Sequence, residues 1–338
     1  MPQTTGSESQ GGPASPSVAI IGARGIGKHH ANWWKLAGVR VCAIAGTSPE
    51  TLQAAAANLK ALFGFDGGTY TDVRQMLEQE RPRFVDVCSP PPLHAIHVRM
   101  ALAAGSHVLC EKPLCHDPAK TAVELLAEAD GLVREAAARK LILSLCSQYI
   151  IAAETCLRLF RQAHPHEAVR EVAGRLASPG RGRTTDPEFI WADLGSHLLA
   201  AVQALGPQGV LDPESLRTEF SPDHARCQFR LAGTSSSFVC RLHVFRTEGE
   251  PSHVRELALN DMKFQIDGER LPDGSYGARI VSPLGVHRED DPMRQLIRRM
   301  SEGRPPLAGA EAYRNLEWLL RVAEAAGRNA LSASERKS

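Results

Sequence analysis

Val18-Ala19-Ile20-Ile21-Gly22-Ala23-Arg24-Gly25-Ile26-Gly27, near the start of the 338-residue chain, decides the fold. The four apolar residues read as a buried strand, the glycines as a sharp turn, and residues 25–37 as a helix. A strand that passes through such a turn into a helix N-terminus points backbone N–H groups at one spot, where a dinucleotide pyrophosphate can lie. Arg24 stands where the second glycine normally lets the backbone approach the pyrophosphate. Two readings stay open: its guanidinium turns outward and pairs with a cofactor phosphate, or its bulk impairs binding, with Gly25 beside it restoring some backbone freedom.

Downstream, apolar β-branched runs at 18–22, 39–45, 84–89, 107–110 and 141–146 alternate with helical patterns at 25–37, 49–63, 71–80, 93–104 and 118–139. This alternation predicts a doubly wound parallel sheet over residues 18–146, a Rossmann domain. Gly38 and Gly105 stand where helix C-cap glycines belong, and Pro49 and Pro118 where a proline opens a helix. Beyond residue 147 the pattern changes. Helical stretches at 152–162 and 194–204 bracket a strand at 169–176 and a polar loop at 178–188. Alternating runs at 225–231, 236–245, 253–259, 263–266 and 277–281 predict a mostly antiparallel open sheet, and helices at 292–301 and 310–326 finish an α+β domain spanning 147–330.

Composition bounds the function. Lys+Arg 39 against Asp+Glu 38 gives no global field, and no basic block points to nucleic acid or an anionic membrane. The eight cysteines include no C-x-x-C pair and read as small core residues of a reducing cytosol, so neither a metal nor disulfides are expected. Residues 1–17 are Gly, Ser, Pro, Gln and Thr with little else, a composition that predicts a disordered tail and lacks the apolar core of a signal peptide. With no run of ~18 apolar residues, the expected location is cytoplasmic.

Glu111-Lys112-Pro113 follows the strand at 107–110, which delivers Lys112 to the carboxyl edge of a parallel sheet, where ligands bind. The bland reading is a solvated lysine in a surface turn. The second strand ends Ala45-Gly46-Thr47-Ser48, without the acid that would accept hydrogen bonds from a ribose diol. Hydroxyl and backbone donors at Thr47 and Ser48 accommodate a 2′-phosphate, so the choice between NADP and NAD leans toward NADP. Asp193-Leu194-Gly195-Ser196-His197 sets an acid and a histidine at i and i+4 of a predicted helix, on one face. The alternative is a helix N-cap and a satisfied histidine.

The turn at 22–27, Ser89-Pro90-Pro91-Pro92-Leu93-His94 with His97 behind it, Glu111-Lys112-Pro113 and Asp193-Leu194-Gly195-Ser196-His197, in this order, resemble the glucose-fructose oxidoreductase and inositol dehydrogenase family, Gfo/Idh/MocA. The likeness runs from residue 18 to 326 in element order and is sharpest over 18–118. It implies that Lys112, Asp193 and His197 line the substrate beside the nicotinamide. With the reading of the turn and of the second strand's end, the candidate cofactor residues are Gly22, Arg24, Gly25, Ile26, Gly27, Thr47, Ser48, Ser89, Pro90, His94, Glu111 and Lys112. The resemblance also implies a homo-oligomer, dimer or tetramer, built through the C-terminal sheet, whose uncovered face would otherwise be an association hazard.

The chain departs from the family pattern at Gln148-Tyr149-Ile150, where an arginine often follows the aromatic, and at Leu198-Leu199-Ala200, where an acid often follows the histidine. Gln148 and Tyr149 remain substrate-binding candidates. Arg181 and Arg183 read either as recognising a carboxylate or phosphate or as part of a solvated loop. The expected activity is an NAD(P)-dependent hydride transfer at a hydroxyl/carbonyl carbon of a sugar, cyclitol or related small polar metabolite. An imine reductase of the same family and a non-catalytic binding protein on a degenerate fold are the alternatives.

Overall fold

A computed structural model of the chain describes residues 16–180, 186–233, 237–271 and 276–335. The tail at 1–15, Arg181 and Arg183 lie outside the described residues. Strands Ser17–Ile21 (β1), Arg40–Ala45 (β2), Gly68–Tyr70 (β3), Phe84–Val87 (β4), His107–Cys110 (β5) and Leu143–Leu145 (β6) form one six-stranded sheet in the order β3-β2-β1-β4-β5-β6, with every pairing parallel. Its crossovers are Ile26–Leu36 (α1), Pro49–Phe63 (α2), Val73–Glu80 (α3), His94–Ala103 (α4) and Ala122–Ala138 (α5). Every residue of β4 and nearly all of β1 and β2 are buried, as strands covered on both faces require.

Gly38 and Gly105 follow α1 and α4 at positive φ, the conformation in which glycine ends a helix without strain. Two boundaries differ from expectation. β3 is three residues long with no fully buried position, so it leaves no apolar run to find. α5 opens at Ala122 and not at Pro118, because Thr121 and Glu124 form a reciprocal capping box that satisfies the first N–H groups.

The second domain begins with Tyr149–Ala163 (α6) and Glu171–Pro179 (β7). Pro187–Ile190 (α7), a π turn at Trp191–Gly195 and Ser196–Leu205 (α8) follow. Strands Val210–Ser221 (β8), His224–Ala232 (β9), Ser237–Thr247 (β10), Val254–Leu259 (β11), Met262–Arg270 (β12), Tyr276–Ser282 (β13) and Gly285–Asp290 (β14) complete an eight-stranded sheet in the order β14-β13-β12-β11-β7-β10-β9-β8. It is antiparallel except where β7 runs parallel to β10. Pro292–Ser301 (α9) and Ala310–Glu335 (α10) close the chain. The strands that sequence periodicity missed, β8 and β14, are the two edges of this sheet, where polar residues need not alternate with apolar ones.

The apolar face of the second sheet packs against α6, α8 and α10 of the same chain. Its other face is charged: Arg175 pairs with Glu256 at 2.7 Å, and Arg241 with Glu171. The expectation of an uncovered apolar face is therefore corrected. Helices of the chain itself bury that face.

Candidate active site

The glycine turn forms as the sequence predicts, and its glycines are required by space. A Cβ on Gly27 would lie 2.0 Å from Gly22 O, and one on Gly22 would lie 2.7 Å from Cys88 O at a φ of +91°. The turn opens into a cleft of about 570 Å³ walled by Gly22, Arg24, Gly25, Ile26, Thr47, Ser89 and Pro90. The first turn of α1 ends there with no side-chain cap on its N–H groups, the donor set that suits a pyrophosphate. Arg24 is exposed at the rim and leaves the backbone of the turn clear.

Two candidates are occupied otherwise. Ser48 caps α2, its Oγ accepting from Thr51 N at 3.3 Å. His94 is buried, with Nδ1 2.7 Å from Pro113 O and Nε2 2.8 Å from Ser89 O. It lies between the loop after β4 and the turn after β5; burial lowers its pKa, so the ring is neutral and one nitrogen donates to one of these two carbonyls.

Lys112 leaves the end of β5 and crosses to the second domain. Its Nζ donates to Asp193 O at 2.7 Å and to Asp193 Oδ1 at 2.8 Å. Asp193 lies in the π turn, a geometry often found at functional sites, so the solvated-lysine and N-cap readings both fail. The other carboxylate oxygen, Oδ2, accepts from Arg246 Nη2 at 2.8 Å, and Arg246 Nη1 donates to Ser178 Oγ. Burial pushes the Asp193 carboxyl up, but the Lys112 and Arg246 cations outweigh it and hold the group well below the usual carboxylate range. Asp193 is a fixed charge and not a proton carrier. Arg246 was invisible to motif reading; it sits on β10 with a 3%-exposed side chain, and the one available signal was an arginine at an inward position of an alternating strand.

His197, one turn beyond, has Nδ1 3.0 Å from Ser147 Oγ and its ring 5.2 Å from that of Tyr149. Burial first, then the Lys112 cation, push its pKa down to about 3, so it is neutral at pH 7. The unfolded chain takes up this proton near 6.5 and the folded chain only near 3, so between those values the unfolded state binds more protons and stability falls as pH drops. We expect the thermal midpoint of the wild type to fall from pH 6.5 to 5 more steeply than that of His197→Asn. Parallel curves for the two proteins would contradict a neutral buried His197.

Tyr149 is buried, and with Gln148 it lines a second cavity of about 440 Å³ between α1 and strands β11 to β13. Glu111, expected at the cofactor, turns inward to His30 with Oε1 at 3.1 Å from Nε2. The structure thus brings Lys112, Asp193 and His197 together and adds Arg246 and Ser147. Gln148 stands one wall away.

Residues 17–144 match the oxidoreductase family with an NAD-binding Rossmann fold, Gfo/Idh/MocA. D-glucoside 3-dehydrogenase of Escherichia coli (strain K12) is 37% identical over 106 residues, 30% of this chain and 28% of that protein. Inositol 2-dehydrogenase of Streptomyces avermitilis is 32% identical over 114 residues, 33% of this chain and 32% of that protein. The matched stretch spans less than a third of either relative. Across both domains the fold is that of a levoglucosan dehydrogenase solved in complex with NADH and levoglucosan, with TM-score 0.70 at 15% identity over 93% of this chain and 98% of that one. No helix among the described residues is long and apolar enough to cross a membrane. A turn with no room for a side chain at Gly22 or Gly27, and a lysine at the edge of β5, accompany a match that makes residues 17–144 an NAD-binding Rossmann domain of the Gfo/Idh/MocA oxidoreductase type.

Proposed function

We propose that this protein is an NAD(P)-dependent dehydrogenase or reductase acting at a hydroxyl/carbonyl carbon of a sugar, cyclitol or related small polar metabolite. The observation that carries the reading is the convergence of Lys112, Asp193 and His197 beside the cleft of the glycine turn, to which His94 ties the Lys112 turn. Names of relatives, a glucoside, an inositol and a levoglucosan dehydrogenase, support a polyhydroxylated substrate.

Bound over the N-terminus of α1, the cofactor supplies the hydride donor or acceptor. Lys112 holds a positive charge at the reacting oxygen and polarises it. His197, neutral, takes the hydroxyl proton in the oxidative direction and returns it in the other, with Ser147 fixing its ring. Asp193 holds the Lys112 ammonium in place. Arg24, the sole argument for a degenerate non-catalytic fold, stands at the rim of the cleft and reaches a cofactor phosphate. NAD is favoured by the family description and by the NADH in the levoglucosan complex, and the NADP lean from Thr47 and Ser48 is weakened by Ser48 serving as a helix cap. A homo-oligomer through the charged face of the second sheet remains part of this reading.

Titration of NADH and NADPH against tryptophan fluorescence tests the proposal. Saturable binding of at least one is expected; no saturation of either at millimolar concentration would sink the enzyme reading, and tighter NADPH binding would reverse the preference for NAD. Arg24→Ala should weaken binding by ~1.5 to 3 kcal/mol, the range of a charge-assisted hydrogen bond. Unchanged affinity would remove Arg24 from the site.

A further inference from the structure

Behind the catalytic lysine lies a buried charge cluster that no motif announces. His30, on the inner face of α1, is 0% exposed, and so is Asp86 on β4. His30 Nδ1 is 2.8 Å from Asp86 Oδ2, and His30 Nε2 is 3.1 Å from Glu111 Oε1. Trp34 Nε1 donates to the same Asp86 oxygen at 2.6 Å, and Cys88 Sγ reaches Asp86 Oδ1 at 3.4 Å. A ring with an acceptor carboxylate on each nitrogen is protonated, since both nitrogens must donate. The Asp86 carboxylate outweighs the cost of burying the ring's charge: the pKa of His30 stands well above its ordinary value despite desolvation, and against its own desolvation Glu111 is drawn down to about 2 by His30.

Burying three charges is expensive, and an apolar core of the same volume would serve stability at least as well. The position of Glu111 suggests what the cluster does. Glu111 is the chain neighbour of Lys112, and the Lys112 cation already helps to lower its pKa, so its carboxylate can compete with Asp193 for the ammonium. With that carboxylate held at His30 Nε2, Lys112 Nζ reaches across to Asp193 O and Oδ1 at 2.7 and 2.8 Å.

We propose that His30 is a positioning residue: it holds Glu111 away from Lys112, so that the lysine has Asp193 as its carboxylate partner. The inference rests on the proposed function only in giving that lysine a catalytic use; the geometry it explains is independent of any reaction.

The test reads Lys112 directly and needs no substrate. In His30→Gln both amide N–H groups leave from one uncharged nitrogen and cannot span the two carboxylates that the two ring nitrogens reach, and the freed Glu111 stabilises the ammonium. Competitive acylation of Lys112 by acetic anhydride, followed by mass spectrometry, should slow on the order of ten-fold, the effect of one unit in proton affinity. The double variant His30→Gln/Glu111→Gln should recover most of the lost reactivity, because the rival charge is gone. A role in packing alone predicts the reverse: no slowing in the single variant, or a double variant as slow as the single, and either result overturns the proposal.

Should His30→Gln fail to fold, the wild type carries the test. Imidazole ¹⁵N shifts must show both His30 nitrogens protonated at pH 7.5, and a neutral ring overturns the assignment. So does a stoichiometric transition metal in the purified protein, held by His30 with Cys88 and Asp86 or with Cys146 and Glu111, which lie close enough to ligate one. NADH affinity, measured on the same samples, reports separately on the proposed function: a wild type that fails to bind NADH counts against the dehydrogenase and leaves the labelling result to decide on His30.

Discussion

Lys112→Met and His197→Asn are each expected to lower turnover by ~10² to 10⁴, the usual effect of removing a positioned proton donor or acceptor, with little change in folding or cofactor affinity. Stability is spared for a structural reason. Lys112→Met leaves Asp193 with the Arg246 guanidinium at 2.8 Å, so no buried carboxylate is stranded, and Asn at 197 retains a group able to bond Ser147 Oγ. Single-turnover hydride transfer, followed by cofactor absorbance once a sugar or cyclitol substrate is in hand, gives the rates. If Lys112 and His197 act on one proton path, the double variant is no slower than either single. Near wild-type rates in both variants would take the pair out of the mechanism.

Arg246→Met should cost more in stability than either of those. It removes the guanidinium from both Asp193 Oδ2 and Ser178 Oγ, at a place where the arginine side chain is 3% and the Asp193 side chain 23% exposed. Leaving such groups without their donor costs about 1 to 3 kcal/mol each. We expect ~2 to 4 kcal/mol overall, from the same range, read as a shift of the urea midpoint at constant slope. Because Arg246 also pins the Asp193 rotamer that receives Lys112, turnover should fall more than cofactor affinity does. Arg246→Lys restores the charge but not the two-pronged contact, so it should recover part of the stability and less of the rate. A variant as stable as wild type would mean that the remaining contacts of Asp193, Lys112 among them, suffice to hold it.

At three residues expected beside the cofactor the tertiary structure supplies another partner, each for a local reason. Ser48 was read as a cofactor donor, but a Ser-Pro-Glu start makes it the cap of α2. His94, expected to face the cofactor, is buried between the Pro113 and Ser89 carbonyls. Glu111 was read beside the cofactor on its place in the Glu-Lys-Pro turn, and a histidine from the first helix drew it inward. In each case the residue type was right for a polar partner and the partner was another.

What the sequence determined by itself was everything set by neighbours along the chain. The apolar run at 18–21, the glycines at 22 and 27 and the i, i+4 spacing of Asp193 and His197 are local patterns, because strand and helix periods are properties of a few consecutive residues. The parallel order of the first sheet followed from the same alternation. Only the tertiary structure decided the pairings: Lys112 with Asp193 across 81 positions, Arg246 with Asp193 across 53, and His30 with Asp86 across 56. A charge carries no mark of its partner when that partner comes from another domain or another strand, and where every charged side chain has several candidates, burial of the surrounding apolar faces selects which two meet.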